Sequence, residues 1–467
     1  MRILFTNTYY QQNVEYTSLI SVIPPLDIAY SASLVRERVS SAGISMLDAN
    51  ALRLKPDDEV KRIKEMEPDI AIFTAATHSI NTAKHVINKV KNEKITTILI
   101  GSHASAFPEG TLSEIEGLDI AIVGEPEFTV LETVEAFIAK KPLLSIKGIC
   151  YREGGAIRRT GEKPLLRDLD SLPPPARDLL PNDLYFSPYS HPVTAIQTTR
   201  GCPGRCSFCD SHLIFGGTLR KRKPKLVVDE MEGCLRSFGT KYFAITDHTF
   251  TADRSFVREV CGEIIKRNMG RRIRWACNTR VDMLNDELVS LMKRAGCLQI
   301  GIGIESGVNR ALKSVKKGIT EGQIKDAILR IKRHGILVMG YTIIGFPHDT
   351  RESIAETKRK IFEFNPHTLQ LSFATPLPGS ELHKYCVQTG RILSKNWDDY
   401  VFLRKSIIRN DTLSTEELVN LRQDIIRGFY LRPRKIAELL FFFIFRIRVN
   451  YLSSARGFFK VLSKLKK

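Results

Sequence analysis

Two series of short apolar runs, each run followed by an amphipathic stretch, set the strongest limit on what this chain can fold into. In the first series "RILFT" (Arg2 to Thr6), "ISMLD" (Ile44 to Asp48), "DIAIFTA" (Asp69 to Ala75), "TTILIGS" (Thr96 to Ser102) and "DIAIVGE" (Asp119 to Glu125) alternate with helical patterns. Runs this apolar read as strands covered on both faces, and alternation with helices makes their sheet parallel. The expected fold class is therefore α/β, with a doubly wound parallel sheet over residues 1–145. A hairpin near Lys147 to Thr160 and the segment "DSLPPPARDLLP" (Asp170 to Pro181) come next. Successive prolines lack backbone donors and fix φ, which places a hairpin-and-linker segment at residues 146–192. The second series predicts strands at Val193–Thr199, Lys241–Thr246, Arg272–Asn278, Leu298–Ile304, Leu337–Ile343 and Thr368–Phe373. Six βα units over residues 193–380 make a partial (β/α)6 barrel, whose functional groups belong at the C-terminal strand ends. Residues 381–467 read as a helical, basic region.

The formal charge is +19 over 467 residues, and it is unevenly placed. From Arg427 to Lys467 there are eleven Lys and Arg against one acid, Glu438, so over half of the excess sits in the tail. No apolar run reaches the ~20 residues of a spanning helix; "LLFFFIF" (Leu439 to Phe445) is too short. A basic segment carrying Arg446, Arg448, Arg456, Lys460 and Lys464 among aromatics suits the surface of an anionic bilayer. The competing reading is a helix whose phenylalanines close the barrel while its charges are solvated. Nine cysteines, and a first strand where a signal peptide would stand, point to a reducing cytoplasm and to free or metal-bound thiols. The run "RKRKPK" (Arg220 to Lys225) reads as a solvated loop, and without interleaved aromatics no nucleic-acid partner is expected.

Chemistry concentrates in "TTRGCPGRCSFCDSH" (Thr198 to His212), just after the first strand of the second series. Cys202, Cys206 and Cys209 lie close enough to share a metal centre. One reading is zinc, with His212 completing a Cys₃His set. The other is an iron–sulfur cube held by three thiolates, which leaves one iron open to a substrate or cofactor. The remaining cysteines are scattered in apolar contexts and read as small buried hydrophobes.

The C-x₃-C-x-aromatic-C pattern at the end of the first strand of a six-fold βα series resembles the radical S-adenosylmethionine superfamily, across residues 193–380. The resemblance implies a 4Fe–4S cluster on the three cysteines, with S-adenosylmethionine chelating the open iron and yielding a 5′-deoxyadenosyl radical on reduction. It implies that Phe208 lies beside the adenine and that the region of Asp247 holds the methionine amino group, although the usual Gly-Gly-Glu is absent. It places Asn278 and Arg280 at the third strand end, and Glu305 at the fourth as a candidate for the ribose hydroxyls. Gly345, in "GYTIIGFP", is similar to the segment running along the adenine.

The first series, with "PPLDIAYSASLVRE", "GSHASAFPE" and "VGEPEFT", resembles the cobalamin-binding domain that precedes many radical enzymes. Its strand ends carry Thr74, Gly101, Ser102, His103, Gly124 and Glu125 as candidate cobalamin residues. No histidine precedes His78, so an Asp-x-His-x-x-Gly cobalt ligand is missing, and a domain that kept the fold without the cofactor is the alternative. Methylthiotransferases, which place cluster cysteines in the N-terminal domain, are excluded because no cysteine precedes Cys150. The resemblances imply a cobalamin-dependent methylase acting on an unactivated carbon. The alternatives are radical oxidation, cyclisation or rearrangement, and, further off, an electron-transfer or redox-sensing iron–sulfur protein. The expected partners are a small-molecule or lipid substrate and a reductant such as flavodoxin or ferredoxin. Replacing Cys202, Cys206 and Cys209 together with Ala is expected to abolish the visible absorbance of reconstituted iron. Iron retained by the triple variant, or reconstitution with zinc alone, contradicts the cluster.

Overall fold

Every apolar run of the first series becomes a strand, because its β-branched residues fill both faces of one sheet. The structure, a computed structural model, describes residues 1–9, 21–187 and 190–445. The first sheet contains β1 (Arg2–Asn7), β2 (Gly43–Asp48), β3 (Ile70–Thr74), β4 (Thr96–Ile100), β5 (Ile120–Ile122), β6 (Ile149–Glu153) and β7 (Ala156–Arg159), in the order β2-β1-β3-β4-β5-β6-β7. β1 to β5 pair in parallel, and the order reverses beside β1, which makes the sheet doubly wound. Helices Leu26–Arg38 and Glu127–Ala139 cover one face through Leu34, Val35, Val130 and Val134. Helices Pro56–Met66 and Ile80–Val90 cover the other through Ile63, Val86 and Ile87.

The hairpin assigned to the connecting segment instead joins the first sheet, with β6 antiparallel to β5 and β7 antiparallel to β6. The reason is burial: Ile149 and Tyr151 complete the core on one face, Cys150 the other. The first unit thus runs through Arg159, past residue 145.

The second sheet holds β8 (Val193–Ile196), β11 (Tyr242–Ile245), β12 (Arg274–Thr279), β13 (Cys297–Glu305), β14 (Leu337–Ile344) and β15 (Thr368–Phe373). All neighbours are parallel and follow chain order, which is an open six-stranded barrel with helices outside. A two-stranded ribbon, β9 (Thr199–Arg200) with β10 (Arg220–Lys221), brackets the cysteine loop. Gly301 and Gly303 of β13, Tyr341 and Ile343 of β14, and Gln370 and Ser372 of β15 line the barrel interior at every second residue.

The tail divides. Helix Thr415–Tyr430 packs beside β15, through Leu418, Ile425 and Phe429. Helix Pro433–Phe445 closes the barrel floor: Phe442 packs on Val193, Tyr242, Leu298 and Leu337. Lys435, fully buried, donates to the Pro366 carbonyl and to Glu438, and burial pulls its pKa down to about 8. Phe441 of the same helix is exposed. No described helix is long and apolar enough to cross a membrane. Arg446, Arg448, Arg456, Lys460 and Lys464, on which the bilayer-surface reading rests, lie outside the described residues. A chain ending at Arg432 should melt well below the intact protein, because it uncovers the barrel floor. A chain ending at Phe445 keeps that floor and isolates the basic tail. Flotation of the intact chain with anionic vesicles, lost on ending at Phe445, is the outcome the membrane reading requires; equal flotation of the two removes it.

Candidate active site

The cysteine loop is tethered at its root by Asp247. This buried carboxylate accepts from the Thr198 amide (2.7 Å), the Thr198 hydroxyl (2.5 Å) and the Thr199 hydroxyl (2.8 Å). Burial nevertheless raises its pKa, with those hydrogen bonds opposing. Gly201 follows with φ +88° and no room for a side chain: a Cβ would stand 2.1 Å from the Thr218 carbonyl oxygen. Farther along, the Ser207 amide donates to Val315 (3.1 Å) and the Cys209 amide to Cys206 (3.2 Å).

The three thiols look into a cavity of about 340 Å³ at the C-terminal end of the barrel. Phe208, Asn278, Arg280 and Glu305 line it too. Tyr341 donates to the Asn278 amide oxygen (3.1 Å), and Arg280 is held by Asp282 (3.0 Å) and the Lys317 carbonyl (2.8 Å). Lys317 and Glu305, both buried, pair at 2.7 Å inside the cavity. Burial lowers the Lys317 pKa, but Glu305 and Cys206 outweigh it and hold the ammonium charged. Gly303 makes this pair fit, since a Cβ there would lie 2.2 Å from Glu305 Oε1 and 2.4 Å from Lys317 Nζ.

Other expected residues stand elsewhere. Gly345 is outside the cavity lining; its amide donates to Asp349 (2.8 Å) and it abuts Leu418 of the tail. The Asp247 side chain is turned under the loop, while His248 and Thr249 reach the cavity. Sequence reasoning missed Lys317, His248, Tyr341, Gln370 and Phe402. Tyr341 and Gln370 carried a signal, the period-two inward face of their strands; Lys317 and Phe402 come from segments with no periodic mark.

At the first sheet, Thr74, Gly101 and Gly124 end or follow three adjacent strands. Gly101 has φ +113°, and its Cβ would strike the Ala75 carbonyl oxygen at 2.5 Å. Gly124 has φ +84°, and no described residue comes within 4 Å of a would-be Cβ, so among the described residues that tip is bare. Ser105 links the two loops, donating to the Gly101 carbonyl (2.8 Å) and accepting from the Gly124 amide (3.0 Å). Thr74 donates to Asp27, whose pKa burial raises against that bond. Ser102 opens the short helix Ser102–Ala106. His103 is fully buried, 4.8 Å edge-on to Trp397, and burial lowers its pKa to about 4. Its Nδ1 meets the Thr77 hydroxyl at 3.3 Å and its Nε2 has no partner among the described residues. Glu125 is committed elsewhere: it takes Arg200 (3.1 Å), Arg220 (2.8 Å) and the Leu166 amide (2.7 Å).

That commitment joins the two sheets. Arg200, two residues before Cys202, also pairs with Glu127 at 2.5 Å, and all four charged side chains are buried. Burial alone would lower the Arg200 pKa; Glu127 and Glu125 together raise it. Helix Ser102–Ala106 packs against helix His212–Phe215, so the bare strand tips and the cysteine loop sit on facing edges.

The donor set fits a cluster better than zinc. His212 Nε2 points to the Cys202 carbonyl (2.8 Å). Among the described residues, no three His, Cys, Asp or Glu side chains are grouped to hold a single metal ion. A cube spreads its thiolates over separate irons and needs no such convergence.

Two family models match separate parts of the chain. The Radical SAM superfamily matches residues 196–361, and the B12 binding domain matches residues 17–134. An uncharacterized methyltransferase of Pyrococcus horikoshii is 33% identical, over 90% of this chain and 90% of its own. An anaerobic magnesium-protoporphyrin IX monomethyl ester cyclase of Rubrivivax gelatinosus is 30% identical, over 92% of this chain and 78% of its own. The structure of the radical S-adenosylmethionine methyltransferase TsrM from Kitasatospora setae, with cobalamin and a 4Fe–4S cluster bound, has a TM-score of 0.68 at 17% identity. That match covers 83% of this chain and 75% of the other, and shows a shared fold.

Arg200→Met strands the buried Glu127 carboxylate, while Glu125 keeps Arg220, and is expected to cost ~3–5 kcal/mol of stability. Arg258→Met, which removes an exposed pair with Glu287, should cost under ~1 kcal/mol. Urea unfolding of the two variants side by side checks the contrast.

Proposed function

Because the chain belongs to the radical S-adenosylmethionine superfamily and carries a B12 binding domain ahead of its barrel, we propose that it is a cobalamin-dependent radical methyltransferase acting on an unactivated carbon. What carries the reading is the facing of two edges, the bare tips around Gly124 and the loop of Cys202, Cys206 and Cys209. Methyl transfer to a substrate carbon needs a methyl carrier and a radical generator at one substrate, and this placement supplies both sites at one seam. When bound, the cluster and S-adenosylmethionine supply one-electron cleavage chemistry, and cobalamin supplies methyl transfer.

The chain's own residues hold and orient these groups. Cys202, Cys206 and Cys209 ligate the cluster. Phe208 offers a ring to the adenine, with Tyr341 and Ile343 taking the place expected of Gly345. Asn278, held by Tyr341, and Glu305, held by Lys317, offer oxygens toward the ribose and methionyl groups. His248 and Thr249, rather than the Asp247 carboxylate, face the methionyl end. Thr74, Gly101, Ser102 and Gly124 form the cobalamin cradle, His103 lies buried behind it against Trp397, and Glu125 acts instead as the clasp to Arg200 and Arg220. Gln370, Ser372 and Phe402 complete the wall on the substrate side.

The cyclase relative supports a second outcome on the same machinery, oxidation or ring closure without methyl transfer. Anaerobically reconstituted and reduced protein should release 5′-deoxyadenosine from S-adenosylmethionine. With the methyl group of S-adenosylmethionine carrying deuterium, extract from a strain lacking the gene should yield a product heavier by the labelled methyl. A product that changes without gaining label supports cyclisation or oxidation. No cleavage of S-adenosylmethionine sinks both outcomes.

A further inference from the structure

Arg280 lines the cavity of the three cysteines but is held on one edge only. Its Nε and Nη2 donate to the two oxygens of Asp282 (3.0 Å each), and Nη2 also donates to the Lys317 carbonyl (2.8 Å). Asp282 stands in the turn Val281–Met283, off the cavity lining. The third nitrogen, Nη1, makes no hydrogen bond among the described residues, and it is the one turned to the cysteine loop. A side chain on Gly204 would place its Cβ 3.5 Å from Nη1, 3.5 Å from the Cys202 sulfur and 3.9 Å from the Cys206 sulfur. One cationic corner and two thiols thus surround a single point, which no Cβ fills because residue 204 is glycine.

The pair is neutral in sum, yet it is oriented. The carboxylate holds the Nε–Nη2 edge of the guanidinium, and the free N–H corner points the other way, so the positive end meets the sulfurs. With the Arg280 side chain only 11% exposed, water screens this end weakly. The anchor is shared, because the residue whose carbonyl fixes Nη2 is the one whose ammonium pairs with Glu305. A cluster on three thiolates carries net negative charge and gains more when reduced. Its potential follows that charge and the hydrogen bonds to its sulfurs. A fixed N–H cation aimed at two of the thiolates therefore favours the reduced state.

We propose that Arg280, locked by Asp282, sets the reduction potential of the cluster on Cys202, Cys206 and Cys209, holding it above the value the thiolates alone would give. The inference rests on the radical reading above. One electron passes from an external reductant to the cluster; no bond of the chain forms or breaks, and Arg280 keeps its proton throughout.

The test is a potentiometric titration of the anaerobically reconstituted full chain, with dithionite, mediator dyes and no S-adenosylmethionine, followed by electron paramagnetic resonance of the reduced cluster. Arg280→Gln should lower the midpoint, cutting the reduced-to-oxidised ratio at a fixed potential by about tenfold, or about 59 mV for one electron. Arg280→Lys keeps the charge without the fork and should recover at least half of that shift. Arg258→Met, an equal loss of charge on the outer helix Arg254–Lys266, should leave the midpoint at the wild-type value. An equal or higher midpoint in Arg280→Gln overturns the proposal; if binding of S-adenosylmethionine weakens in the same variant, Arg280 belongs to the cosubstrate instead. An equal fall in Arg280→Lys or in Arg258→Met overturns it as well. So does loss of iron from Arg280→Gln, because the proposal gives Arg280 no part in holding the cluster. The radical reading fails separately, if dithionite-reduced wild type leaves S-adenosylmethionine intact.

Discussion

The interaction on which the rest depends is the buried clasp of Arg200 and Arg220 with Glu125 and Glu127. Each charge alone in that interface would be costly to bury, and together they are satisfied only when the two sheets meet in one register. Arg200 belongs to the ribbon that opens the cysteine loop, while Glu125 and Glu127 belong to the loop and helix just past the bare tip at Gly124. A single set of ion pairs thus couples the placement of the thiols to the placement of the first sheet. A second buried set, Arg177 and Arg222 on Glu230, ties the proline-rich linker to the barrel's first outer helix.

Within the barrel, steric and electrostatic demands are the same demand. The Lys317–Glu305 pair is buried beside Cys206, and it fits only because residue 303 has no side chain. Gly301 does the same for Asn278 and Tyr341: a Cβ there would lie 2.3 Å from the Asn278 amide oxygen. The glycines of β13 are therefore part of the site through the room they leave.

Much of this was legible in the sequence. Strand positions followed from apolar runs, the strand-end rule pointed to the cysteine loop, and the family resemblance added Asn278, Arg280 and Glu305, all of which line one cavity. The hairpin at 149–159 was misplaced because a short antiparallel pair has the same pattern whether it stands alone or completes a sheet edge. Glu125 was legible as a strand-tip residue but not as a clasp, since its partners Arg200 and Arg220 lie 75 and 95 residues away with no periodic relation. Lys317 and Phe402 were invisible for the same reason: each reaches the cavity from an irregular segment, and only the closed fold brings it there.

The segment that follows the barrel leaves Trp397 on the first sheet, its indole donating to Glu114 (3.0 Å) and its edge against His103. The chain has one other tryptophan, Trp275, sealed in the barrel core with its indole donating to Ala295 (2.8 Å). The protein thus carries a matched pair of native fluorophores, one insulated and one beside the candidate corrin cradle. Emission from the first is shielded from solvent by the barrel core. Emission from the second reads the electrostatics and crowding around a neutral imidazole. An optical record of what occupies those strand tips is therefore built into the molecule, with no label required.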